Sequence, residues 1–333
     1  MSAQISLEPV DAAHVTILVD NFVDALLPSG EVAQRPRVAY DMWERERGQL
    51  IAEHGLSLLL TVERDGHSAS LVYDAGLSRG AAVHNMDVLG VRLPDLRAIV
   101  VSHGHSDHHG GLEGMIRRVG ARGMPLVIHP EAWRDRKVVF PSGAELHLPP
   151  PSRRDLDREG VEVTEERRPS LLIDGTVLVT GQVERVTDFE EGFPLNHARS
   201  DGGWEPDPWI WDDQAVVVNL KGKGLVVLSG CSHSGAINVL RQAQRLTGEA
   251  RVHAFVGGMH LTGGIFERLI PRTVDELATI ARGGWCPGTA RAGGRPTSSR
   301  VGCRGLTCRP ASAPGCDSRD LYSSYRVGLP VSG

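Results

Sequence analysis

The chain has 333 residues, 41% hydrophobic and 23% charged, with a formal net charge of −5. That length buries a sizeable core without disulfide staples and leaves room for one large domain or two small ones. No run of 18 apolar residues occurs, which excludes a membrane-spanning helix. The acidic balance argues against non-specific nucleic-acid binding, and residues 1–20 lack a basic stretch of the secretory type, so a cytoplasmic location is expected.

The averages conceal a break in composition. Four of the five cysteines, Cys286, Cys303, Cys308 and Cys316, fall in residues 282–333. That stretch holds eight arginines, two aspartates and no Lys, Glu or His, a net +6 that leaves −11 for residues 1–281. All 14 histidines lie at or before His260. We therefore read residues 1–281 as the domain and 282–333 as an irregular Gly/Pro/Ser/Arg/Cys-rich tail, expected to be disordered and to contribute neither fold nor function.

In chain order, residues 14–20 form a short β-branched run expected at a sheet edge. Residues 56–62 and 68–73 are two more strands, and the Asp65-Gly66 pair between them signals a hairpin. A helix is expected over 81–89, a buried strand over 96–102, a helix over 110–119 and a strand over 125–129. In the second helix Leu112, Met115, Ile116 and Val119 recur at spacings of three and four. Residues 130–213 read as a loop-rich section with one clear strand at 176–180, able to cover a cleft. Regular alternation resumes with strands at 214–220 and 225–229, a helix at 236–246, a strand at 252–256 and a helix at 273–281. Strand pairs followed by helices in both halves suggest two sheets between helical layers.

The chemistry is concentrated after the strand at 96–102, in Ser102-His103-Gly104-His105-Ser106-Asp107-His108-His109-Gly110-Gly111. Imidazole and carboxylate ligate divalent metals, and clustering them on one loop brings them to one point. In an extended loop His103 and His105 project to the same side, while Asp107 and His108 at the helix entry can serve a second ion about 3.5–4 Å away. Glycines 104, 110 and 111 permit the tight backbone path.

The H-x-H-x-D-H pattern after an apolar strand resembles the metallo-β-lactamase superfamily, as does Tyr73-Asp74-Ala75-Gly76 ahead of it. Two later strand-end motifs, Gly230-Cys231-Ser232-His233-Ser234-Gly235 and Gly257-Gly258-Met259-His260-Leu261, together with Asp212-Asp213-Gln214, resemble its dihydropterin-ribofuranosylaminobenzene-phosphate synthase-like subgroup. The resemblance spans about residues 14–281 and implies an αββα sandwich. It carries over His103, His105, Asp107, His108, His233 and His260 as metal ligands, with Asp107 and His108 as the catalytic pair. Where most of the superfamily has a bridging Asp, this chain offers Cys231 or His233.

Other polar residues have plainer readings. Asp74 is expected to orient a metal-bound histidine or water rather than bind directly, Asp212 and Asp213 to bond loop backbone, and His129 to be a satisfied core or edge histidine. His54, His67, His84, His147 and His197 are expected at the surface. Trp204, Trp209 and Trp211 either pack the long section down or stack on a flat substrate.

The resemblance also implies a last strand ending in P-x-H, which the chain lacks. Joining the third base of each codon to the first two of the next, from Gly284 onward, permits Val-Val-Pro-Gly-His-Cys-Thr-Gly. A one-base frameshift near Arg282 is therefore expected. The expected function is metal-dependent hydrolysis of an ester, lactone, phosphoester or pterin-related small molecule, using one or two zinc ions, with iron or manganese as alternatives. The competing readings are a metal-binding protein disabled by the lost strand and a redox di-iron site. No nucleic-acid or membrane partner is expected.

Overall fold

The structure is a computed structural model that describes residues 4–23 and 48–281, apart from 92, 94, 121 and 122. It also gives the backbone of three short strands at 33–34, 285–288 and 326–329. The first half begins with β1 (Ala12–Val19), β2 (Ala33–Gln34) and a hairpin of β3 (Ser57–Arg64) and β4 (His67–Tyr73). Asp65 at φ 50° and Gly66 at φ 77° supply the doubly left-handed turn that matches strand twist. Then come α1 (Ala81–Val88), β5 (Leu96–Val100), the single turn α2 (Ser106–His109), α3 (Leu112–Val119) and β6 (Pro125–Ile128).

The section expected to be loop-rich holds more structure than its sequence suggests. It contains β7 (Arg136–Val139), β8 (Glu145–Leu148), α4 (Arg153–Glu159), β9 (Glu162–Glu165), β10 (Ser170–Leu172), β11 (Val177–Val179), β12 (Asn196–Ser200) and β13 (Gly203–Pro206). The second half adds β14 (Ala215–Leu220), β15 (Gly224–Ser229), α5 (Ala236–Thr247), β16 (Val252–Gly258) and α6 (Ile270–Ile280). Two strands, β17 (Trp285–Gly288) and β18 (Arg326–Leu329), come from the tail.

One sheet runs β2-β18-β1-β3-β4-β5-β6-β9 and a second β10-β11-β14-β15-β16-β17. Their facing sides form a common core: Val15, Leu58, Leu60, Leu71 and Val100 from the first meet Val177, Val216, Val218, Val226 and Leu228 from the second. Alternate residues turn outward. Leu59, Val72 and Ile99 pack beneath α1 and α3 through Met86, Met115 and Ile116, while Val217, Val227 and Phe255 pack beneath α5 and α6 through Ile237, Leu240 and Leu277. Covering both faces is why these strands read as unbroken apolar runs. The layering is the expected αββα sandwich of two mixed sheets.

Three expectations change. β1 lies inside its sheet, paired with β3 on one side and β18 on the other, rather than at an edge. A third sheet, β13-β12-β7-β8, occupies the section expected to be mostly loop. The tail adds backbone to both large sheets, β17 parallel to β16 and β18 antiparallel to β1. An open strand edge presents a row of N–H and C=O groups to which an extended segment of many sequences can bond. The rest of the tail lies outside the described residues.

The parallel strands set the location of the site. β4, β5, β15 and β16 all end at the same rim of the sandwich, and their C-terminal extensions carry Asp74, residues 102–108, residues 230–234 and residues 259–260.

Candidate metal centre

His103, His105 and His233 form one group of potential ligand atoms and His103, His108 and Cys231 another, each with all its atoms within 4.8 Å of one another. All five residues are buried. Leaving β5, the chain passes from Ser102 through His103 and Gly104 to His105. A Cβ at residue 104 would meet the Ala132 carbonyl oxygen at 2.3 Å, so only glycine fits between the two histidines. The second loop turns through Ser232 at φ 53°, and His260 and Asp74 also hold left-handed backbone, at φ 44° and 63°. Such strained backbone clusters where the surroundings dictate geometry.

Hydrogen bonds fix the protonation pattern. Asp74 Oδ1 accepts from the Ser102 amide at 2.7 Å, and Asp74 Oδ2 accepts from Ser102 Oγ at 2.7 Å and from His108 Nδ1 at 2.6 Å. Because the Ser102 hydroxyl gives its proton to the carboxylate, it accepts from His103 Nδ1 at 2.9 Å. Both histidines therefore carry a proton on Nδ1, and His103, held neutral, presents Nε2 as a lone pair. This is the carboxylate-to-histidine arrangement that orients metal ligands. His108 Nε2 faces Cys231 Sγ at 3.0 Å and Asp107 Oδ2 at 3.5 Å.

Nε2 of His103, of His105 and of His233 is buried without a hydrogen-bond partner. Buried polar atoms are nearly always satisfied, and three unsatisfied lone pairs converging on one point match a divalent cation. Burial pushes His103 and His233 well below the ordinary imidazole range, and neighbouring imidazoles add to the effect. His105 falls to about 3 for the same first reason. All three are neutral at pH 7, as ligands must be. Burial also raises the Cys231 thiol. His108 goes the other way: Cys231, Asp107 and Asp74 outweigh its burial and raise it well above its usual value.

The remaining candidates sit around this centre. Asp107, with its side chain 14% exposed, lies outside both groups, 3.6 Å from His54 Nε2. Burial pushes its carboxyl up, but His108, His105 and His54 bring it below the usual range. His260 packs against the His233 ring at 4.6 Å between centroids, with Nδ1 unpartnered, and also lies outside both groups. His129 caps the turn at Pro130–Trp133 by accepting from the Glu131 amide, so it is a core histidine. His147 and His84 bond Asp135 and the Gln49 carbonyl at the surface. Trp209 and Trp211 lie beneath the Arg185 guanidinium, and Trp204 beneath Lys137. They pack against cations, and Trp204 also meets the surface His147 ring edge-on at 6.1 Å.

Sequence reasoning overlooked Phe193. Its ring stacks on His233 at 5.6 Å, tilts against His260 at 4.8 Å and packs on Phe266, roofing the centre with apolar surface. No periodic signal marks this aromatic on an irregular segment. Beside it a cleft lined by Glu190, Gly192, His233, Met259, His260 and Phe266 opens to solvent.

The sequence profile of the metallo-beta-lactamase superfamily matches residues 53–244. The chain is 26% identical over 243 residues to a Methanocaldococcus jannaschii protein named 7,8-dihydropterin-6-methyl-4-(beta-D-ribofuranosyl)-aminobenzene-5'-phosphate synthase. The match covers 71% of this chain and 80% of that protein. It is 28% identical to an uncharacterized protein of the same organism, covering 68% and 80%. Its fold is similar to the crystal structure of Tm1679, a metal-dependent hydrolase of the beta-lactamase superfamily, with a TM-score of 0.61 at 22% identity, covering 84% of this chain and 89% of that one. With the profile spanning more than half its length and the histidines at the rim of an αββα sandwich, the chain belongs to the metallo-β-lactamase superfamily.

Proposed function

We propose that this protein is a metal-dependent hydrolase whose centre is held by His103, His105 and His233, with His108 and Cys231 completing a second position. The observation carrying this reading is the convergence of three buried, unpartnered Nε2 atoms. Imidazole and thiolate donors suit zinc, whereas manganese prefers oxygen-rich sites. A divalent ion held there supplies Lewis acidity toward a carbonyl or phosphoryl oxygen and makes water acidic enough to be a nucleophile near neutral pH. Asp74 holds the proton of His108 on Nδ1, and Asp107 stays ionised to take a proton at Oδ2 from the reacting group. Phe193 and Phe266 cover one side of His233 and His260 with apolar surface beside the open cleft. The substrate class is an ester, lactone or phosphoester, and the name of the M. jannaschii relative extends it to pterin-bearing phosphates.

The test is a hydrolase panel of p-nitrophenyl acetate, a homoserine lactone and bis-p-nitrophenyl phosphate on zinc-loaded protein. Turnover that disappears in His105→Ala and Asp107→Ala supports the reading, and unchanged turnover in both variants refutes the site. A second reading, metal binding without turnover, is favoured by the absence of any histidine after His260. Full metal content with no activity on the panel would select it.

A further inference from the structure

Three consecutive residues at the entry of β14 touch both histidine loops. Asp212 Oδ2 accepts from the Gly104 amide at 2.6 Å, between His103 and His105. Asp213 Oδ2 accepts from the amide of Ser234 at 2.8 Å and from its hydroxyl, immediately after His233. The Gln214 amide donates to the Ser102 carbonyl at 3.0 Å, and its Nε2 donates to Val101 O at 2.8 Å, immediately before His103. Tyr73 OH donates to the Gln214 carbonyl at 2.7 Å. The first loop leaves the eight-stranded sheet and the second the six-stranded one, and besides this segment the two loops meet through the His108 Nε2–Cys231 Sγ contact at 3.0 Å and ring packing of His103 and His105 on His233. Asp212 is anchored in turn by Arg136 from the third sheet, Nη2 to Oδ1 at 2.6 Å and Nη1 to Oδ2 at 3.1 Å.

We propose that Asp212-Asp213-Gln214 is a positioning strap that sets the distance between the His103/His105 and His233 loops, and so the metal affinity of the centre, without touching the ion. The proposal rests on the metal-centre reading above. Hydrogen-bond partners of this kind are commonly worth about 10–100-fold in affinity. The strap accounts for two buried carboxylates beside a cluster of neutral imidazoles, where an acid without a backbone partner would be costly.

The experiment uses full-length protein with Zn2+ and Co2+ as probes. Zn2+ affinity is measured by competition with a chromophoric chelator, and the visible Co2+ spectrum reports ligand geometry. Asp213→Ala is expected to weaken Zn2+ binding about 10–100-fold and to shift the Co2+ bands. Asp213→Asn keeps an oxygen acceptor for Ser234 and is expected to restore both. Ser234→Ala, which removes one donor and leaves the backbone intact, gives a smaller loss in the same direction and serves if Asp213→Ala does not fold. Wild-type affinity and spectrum in Asp213→Ala, or in Ser234→Ala if only that variant folds, would overturn the strap. Equal losses in Asp213→Ala and Asp213→Asn would overturn it too. Loss of binding in His105→Ala alongside those results would leave the metal centre standing. Failure of the wild type to bind either ion would remove both claims.

Discussion

Replacing Arg136 by Met should be among the most damaging single changes available outside the histidine cluster. Arg136 is fully buried on β7 and spends three nitrogens on two carboxylates: Nε on Asp207 at 3.0 Å, Nη1 and Nη2 on Asp212. Methionine fills much of the volume but strands both acids, and breaking a buried pair in this way costs about 3–5 kcal/mol. At about 2–4 °C per kcal/mol for a domain of this size, Tm should fall by roughly 6–20 °C. The pH dependence follows from the same geometry. In the wild type Arg136 outweighs burial and keeps Asp212 below the usual carboxylate range, so this contribution is present above the unfolded-state value and lost on acidification. Without Arg136, burial dominates and raises the Asp212 carboxyl, so the variant should lose further stability as pH rises and recover some at acid pH. The triple variant Arg136→Met, Asp207→Asn, Asp212→Asn removes the charges together and should recover most of the loss. Thermal melts of the metal-free protein followed by circular dichroism between pH 5 and 8 provide the assay. A Tm drop under about 3 °C in Arg136→Met, or a triple variant no better than the single, would refute the reasoning.

Further perturbations test other parts of the account. Gly104→Ala forces a Cβ against the Ala132 carbonyl; overpacking of this kind costs about 1–3 kcal/mol and should weaken Zn2+ binding, so wild-type Tm and affinity would contradict the geometry. Glu190 accepts from the Ile237 and Asn238 amides at the start of α5, and burial raises its carboxyl to about 7. The folded state thus keeps a proton that the unfolded state releases above its ordinary 4.5, so its contribution declines as pH rises through that window. Glu190→Gln should flatten this slope in urea midpoints measured from pH 4.5 to 7.5; parallel profiles would contradict it. For the tail, sequencing the gene across codon 282 and weighing the intact protein should reveal a one-base shift that restores a P-x-H strand. An unbroken frame with the Gly284-Trp285-Cys286 sequence found in the expressed protein would end that explanation.

Much of the architecture was legible because both large sheets are covered on two faces, so β3, β5, β14 and β15 appear as apolar runs with little ambiguity. The histidine motifs were legible because they follow such runs directly. The third sheet was not: β8 reads Glu-Leu-His-Leu and lies mostly exposed, so no burial pattern marks it as a strand. β1 looked like an edge because nothing local reveals β18, more than 300 residues away in sequence. Asp212 and Asp213 were read as backbone-bonding residues, but that they reach both loops at once depends on contacts 108 and 21 residues apart. Phe193 and Arg136 lacked even a local cue, since their partners, His233, His260 and Phe266 for the one and Asp207 and Asp212 for the other, are distant in sequence.

The metal content of purified protein bears most directly on the central claim. Elemental analysis of the wild type beside His103→Ala should find at least one divalent ion per wild-type chain, with zinc preferred on reconstitution, and little in the variant, because His103 belongs to both ligand groups. Metal-free wild type that takes up no ion on reconstitution would contradict the account, as would a His103→Ala variant that binds as much as the wild type.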